Sequence, residues 1–160
     1  MSRFVAILAR FAVIVFGYAA ASLTASLFMN VVIAGAGVVE ASETDELYRV
    51  DLIVSTAVGA LFVGYFAFLP AMVAITVGEI ANRRDWLFYA LGGAVISAVV
   101  VTLFWATGSE AENDPAFFLM LIAAGIAGSW VYWLIAGRNA GSWRKPPGPA
   151  PVISTPPEES

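Results

Sequence analysis

Four apolar runs govern what this chain can fold into: Phe11 to Val39, Leu52 to Gly78, Trp86 to Thr107 and Ala116 to Gly137. Each exceeds the roughly 18 residues at which a hydrophobic stretch reads as a membrane-spanning helix. None carries an Asp, Glu, Lys or Arg in its interior, as expected of segments solvated by lipid. The predicted fold is therefore all-α, a polytopic membrane protein. Four antiparallel transmembrane helices with short loops occupy residues 1–145, and a Pro-rich disordered tail occupies 146–160. Composition points the same way. The chain is 60% hydrophobic and 12% charged, where a soluble domain carries about 45–50% apolar and about 25% charged residues.

The connections are polar: Glu40 to Asp51, Glu79 to Asp85, and Ser109 to Pro115. If four helices alternate, Arg3, Arg10, Arg83, Arg84, Arg138, Arg144 and Lys145 all fall on one side. Arg49 alone among the basic residues falls on the other, beside Glu40, Glu43, Asp45, Glu46, Asp51, Glu110, Glu112 and Asp114. Basic residues mark the cytoplasmic side, so the expected orientation has both termini in the cytoplasm and two acidic loops outside. Those carboxylates read as a solvated face. Trp86, Tyr89, Tyr132, Trp133 and Trp143 near the inner boundary, and Tyr48, Trp105, Phe117 and Phe118 near the outer, suit aromatic belts. Arg3 followed by an apolar stretch and Ala19-Ala20-Ala21 imitates a signal peptide. Arg10 interrupts that stretch, however, and residues 22–39 stay mostly apolar, so an uncleaved helix is expected.

The residue inventory narrows the chemistry. There is no Cys and no His. His- or Cys-ligated haem, iron–sulfur clusters and typical structural zinc sites need those side chains, as do Cys–His and Ser–His–Asp nucleophiles. No cofactor is expected, and no catalytic, cofactor-binding or metal residues are assigned. A formal charge of −4 argues against nucleic acid as a partner, which wants a basic face. The expected partners are the lipid bilayer and another membrane protein or further copies of this chain. The tail has six prolines after Lys145. Prolines preclude a helix there, and a plain solvated end is preferred over a docking segment for an SH3-like partner.

Four positions carry the polar or irregular chemistry of the helices. Pro70 lacks a backbone donor and crowds the carbonyl of Phe66, which predicts a kink that shapes packing. Glu79 is expected to pair with Arg83, four residues on along the same helix face, in preference to acting as a transport carboxylate. Asn30 shares a face with Ser22 and Ser26 at four-residue spacing, and the stripe is expected to hydrogen-bond to a neighbouring helix. Gly17 with Ala21, Gly59 with Gly64, Gly92 with Gly93, and Ala124 with Gly128 are candidates for close helix approach, on which association in lipid depends. Gly137-x-x-x-Gly141 has the spacing of a dimer motif but reads equally as a helix end.

One similarity can be drawn from these residues. Leu69-Pro70-Ala71, Gly78-Glu79, Trp86-Leu87-Phe88-Tyr89-Ala90, Ala124-Gly125-Ile126-Ala127-Gly128 and Tyr132 to Arg138 together resemble small four-helix inner-membrane proteins of alphaproteobacteria. The resemblance covers roughly the last three helices. It implies a bacterial inner membrane and supplies neither an activity nor site residues. The function expected from the residues themselves is a non-enzymatic accessory, assembly or structural subunit of a membrane complex. The alternative is a small oligomeric transporter or channel with its pathway near Glu79 or Asn30.

Overall fold

In a computed structural model, residues 3–36, 45–105 and 115–141 are described. They form α1 (Arg3–Gly35), α2 (Asp45–Phe66), α3 (Phe68–Ile80), α4 (Trp86–Trp105) and α5 (Pro115–Ile135), followed by a 3-10 turn over Gly137–Asn139. α2 and α3 together make one span, Tyr48–Ile80. Four helices are thus long and apolar enough to cross a membrane, and the chain is an integral membrane protein with an all-α, four-helix fold. The acidic loop residues 37–44 and 106–114, Trp143 and the Pro-rich tail lie outside the described residues.

The distribution of side chains is that of a lipid-solvated bundle. Large apolar residues face outward along every helix, with Leu61, Leu69 and Phe4 each 75% exposed. A water-soluble monomer rarely leaves so extensive an apolar surface uncovered. The interior is built from small residues instead: Ala25, Ala124, Ala136, Ser22 and Ser26 are buried. Only a few larger side chains, including Ile75, Tyr89 and Tyr132, join them in a cluster near one end.

Small residues let backbones touch, and each contact pairs particular positions. α5 packs against both α1 and α4, and α1 packs against α2. At the α4–α5 crossing Gly93 and Gly125 face each other. A Cβ added at Gly93 would strike the Gly125 carbonyl oxygen and Ser129, and one added at Gly125 would strike Ser97. The two helices thus present Gly93-x-x-x-Ser97 and Gly125-x-x-x-Ser129 to each other, small residues at four-residue spacing on both sides. At the α1–α5 crossing a Cβ on Gly128 would lie 2.7 Å from the carbonyl oxygen of Ala21. The sequence pattern singled out Gly93 and Gly128, but not the reciprocal serines.

The second span is broken at Ala67, the residue that follows the Phe66 carbonyl which Pro70 cannot serve. Backbone bonds resume on both sides, from Ala67 N–H to Val63 O at 2.9 Å and from Ala71 N–H to Ala67 O at 2.9 Å. In lipid a disturbed helix must find its hydrogen bonds within the protein. Tyr18 of α1 supplies one: its hydroxyl donates to the Gly64 carbonyl at 2.6 Å, one turn before the break. Tyr18→Phe, which removes only that donor, is expected to lower stability in detergent by about 1 kcal/mol. A melting curve superimposable on that of the parent chain would show that the break needs no support from α1.

Candidate functional site

The most polar place inside the bundle lies where α1 begins and α3 and α5 end. Its construction starts at the end of α3. Ala81 N–H bonds to Val77 O at 2.8 Å and Arg83 N–H to Gly78 O at 3.0 Å, with Asn82 between them at φ 52°. This is a left-handed helix termination with Asn in the position glycine usually takes. It fixes Glu79 in the last turn, where the negative end of the helix dipole makes a carboxylate unwelcome. A cation is needed nearby, and the chain supplies one from a distance of 69 residues.

That cation is Arg10. The α1 helix starts at Arg3, so Arg10 sits inside it, in contrast to the sequence expectation that Arg10 precedes the first span. Its neighbours Ile7, Leu8 and Phe11 point outward, whereas the guanidinium turns into the bundle. Arg10 Nε donates to Glu79 Oε1 at 3.0 Å, and Nη2 donates to the same oxygen. The two side chains are only 9% and 13% exposed. Nη2 also donates to the Ala136 carbonyl at 2.8 Å. Glu79 Oε2 in turn accepts the backbone N–H of Gly141 at 2.9 Å.

The expected Glu79–Arg83 pair is therefore corrected. Arg83 stands 3.7 Å from Asp85 with both side chains more than half exposed, an arrangement that contributes little. Glu79 was drawn away because an i,i+4 pair on the surface offers tenths of a kcal/mol, whereas a buried Arg10 left alone would be far more costly. The signal that could have found this pair is in the sequence. A single Arg within Ile7-Leu8-Ala9-Arg10-Phe11-Ala12-Val13 must be paired if the helix extends that far.

The chain beyond α5 is strapped into this cluster. Arg84 Nε donates to Ala140 O at 3.2 Å, and Trp133 Nε1 donates to Arg84 O at 2.7 Å. Tyr89, whose ring lies 5.6 Å from that of Tyr132, donates its hydroxyl to Arg83 O at 3.2 Å. Gly141 adopts φ +70°, and a Cβ there would collide with Asn82. Gly137 is equally confined: a Cβ would lie 2.9 Å from the Tyr89 ring. The Gly137-x-x-x-Gly141 pair thus serves contacts within the chain. Arg10, Glu79 and Arg84 each have a partner, and the cluster forms a fastening between α1, α3, α4 and α5.

Asn30 lies towards the other end. Its Nδ2 donates to Ser26 O at 3.0 Å and reaches Thr56 Oγ1 of α2 at 3.4 Å. Ser26 Oγ donates to Thr56 O at 2.9 Å, whereas Ser22 Oγ bonds back to Tyr18 O at 3.1 Å within α1. The Ser26 and Asn30 portion of the stripe thus bridges α1 and α2. The structure does not bring Asn30, Glu79, Arg83 and Pro70 together into one site. Among the described residues, no group of three or more His, Cys, Asp or Glu is placed to hold a metal ion.

The open space found between the described helices is mainly apolar. Two adjoining cavities of about 110 and 310 Å³ share Ala25, Val63, Ala67, Ile96, Ser97 and Gly125 in their walls. They form one cleft bounded by α2 and α3 on one side and α4 on the other. No described charged side chain lines it. No family model matches the chain, and neither a curated protein nor a solved structure matches it.

Proposed function

We propose that this chain is a non-enzymatic accessory, assembly or structural subunit of a membrane complex. The observation that carries the reading is the closure of its polar interior. Arg10 and Glu79 bind each other and the strap after α5, and Asn30 binds α2. A transport carboxylate needs water or substrate on at least one side, whereas Glu79 is spent on Arg10 and the Gly141 amide. The acidic connections and the basic residues at the opposite ends of the helices support an orientation with both termini cytoplasmic. The resemblance of the last three helices supports a multi-pass location in a bacterial inner membrane.

The test is extraction at native expression level in mild detergent, followed by size analysis and identification of co-purifying proteins. A stoichiometric membrane-protein partner is the expected result. A partner-free monomer or homo-oligomer would overturn the accessory reading in favour of the transporter. Proteoliposome flux abolished by Glu79→Gln or Asn30→Ala, with the fold intact, would then establish the pathway.

A further inference from the structure

The cleft between α2–α3 and α4 is a part of the interior that the contacts among the described residues leave unfilled. Its narrow end is lined by the rings of Tyr18, Phe88, Tyr89 and Tyr132. Tyr132 lines it there and is only 5% exposed, yet among the described residues no hydrogen bond holds its hydroxyl. A buried hydroxyl without a partner costs about 1–3 kcal/mol, so this end of the cleft calls for an acceptor. The walls call for hydrocarbon, being Ala, Gly, Val, Ile and Phe with scattered hydroxyls.

Dimensions select among apolar occupants. From Phe117 to Tyr132 the cleft follows α5 for about 22 Å, at 1.5 Å per residue. Half of a hydrocarbon core of about 30 Å is the reach of one leaflet's chains. An extended chain thus fits lengthwise. Tyr132 lies three residues from the end of α5 and near Trp133, the depth at which amphipathic aromatics meet the membrane–water interface. Lipid carbonyls lie there, above their hydrocarbon tails.

We propose that the cleft is a binding site for a single acyl chain, whose carbonyl oxygen accepts a hydrogen bond from the Tyr132 hydroxyl. The chain enters sideways from the bilayer between α2 and α4 and runs from Tyr132 towards Phe117. The carbonyl belongs to a membrane lipid ester or to a free fatty acid; the chemistry recognised is the same. This site stands independently of whether the chain is an accessory subunit.

Gly92 gives a direct test, because it lines the narrow end and a Cβ added there meets nothing within 4 Å. A larger side chain at this position fills the cleft without displacing backbone. The protein is reconstituted in phosphatidylethanolamine and phosphatidylglycerol vesicles containing either diazirine-bearing palmitic acid or a phosphatidylethanolamine with a diazirine in its chain. After illumination the adducts are mapped by peptide mass spectrometry. Adducts are expected to concentrate at Ile96, Ser97 and Gly125 over the outward-facing Val95, Val99 and Trp130, and the probe that gives them names the source. Gly92→Ala should preserve the excess, whereas Gly92→Leu and Gly92→Trp should abolish it while eluting as the parent does. Tyr132→Phe, which keeps the ring, should lower it about fivefold, the loss of one hydrogen bond. Adducts spread evenly over inward and outward positions with both probes would overturn the proposal. So would a cleft signal that neither the folded Gly92 variants nor Tyr132→Phe reduces.

Discussion

Glu79→Ala is expected to destabilise the bundle by about 3–5 kcal/mol. The magnitude follows from what the change leaves behind. Arg10 would keep its bond to Ala136 O but lose its one anionic partner among the described residues, in a place where its side chain is 9% exposed. An uncompensated buried charge costs about that much. The strap after α5 would also lose the carboxylate that holds the Gly141 amide. Arg83→Ala provides the contrast, with an expected change below about 0.5 kcal/mol, because its partner Asp85 is exposed. Reversible unfolding in a fixed detergent measures both. Equal effects for the two would mean that Glu79 is served by Arg83 after all.

Adjacent glycines are expected to respond in opposite directions. Gly93→Ala places a methyl group against Ser129 and the backbone oxygen of Gly125. The α4 and α5 backbones must separate to admit it, and overpacking of this kind costs about 1–3 kcal/mol. Gly92→Ala meets open space. It gains the better helix propensity of Ala, worth up to about 1 kcal/mol in a helix interior. The gap between the two variants, several kcal/mol at its widest, comes from one residue's rotation about the helix axis. Melting temperatures in detergent would reveal it. A harmless Gly93→Ala would place the α4–α5 crossing elsewhere.

The four spans were legible in the sequence because lipid imposes a simple demand. Each crossing must be long, apolar and internally hydrogen-bonded, and Leu52 to Gly78 or Ala116 to Gly137 could be little else. The expected spans and the observed helices differ mainly at their ends. α1 begins at Arg3 instead of Phe11, because Arg10 finds a partner and need not stay in water. The break at Ala67 could be placed from Pro70, whose effect on the carbonyl four residues earlier is local. The fastening at Arg10 and Glu79 was not legible from spacing alone, since its partners come from opposite ends of two spans. Local rules favour Arg83 for Glu79, and only the three-dimensional crossing of α1 and α3 reverses that choice. The reciprocal serines at the α4–α5 crossing were hidden for a related reason. Ser97 and Ser129 read as stray polar residues until Gly93 and Gly125 are seen to lie opposite them.

The central claim is that Arg10 and Glu79 are tied to each other and hold the bundle closed. A double-mutant cycle on Arg10 and Glu79 tests it most directly, using Arg10→Met, Glu79→Met and the pair together, with unfolding free energy in one detergent as readout. The double variant is expected to be more stable than either single variant, with a coupling energy above about 1.5 kcal/mol, since removing both charges leaves neither unpaired. Additive losses, with a coupling below about 0.5 kcal/mol, would contradict the pairing and return Glu79 to candidacy as a transport carboxylate.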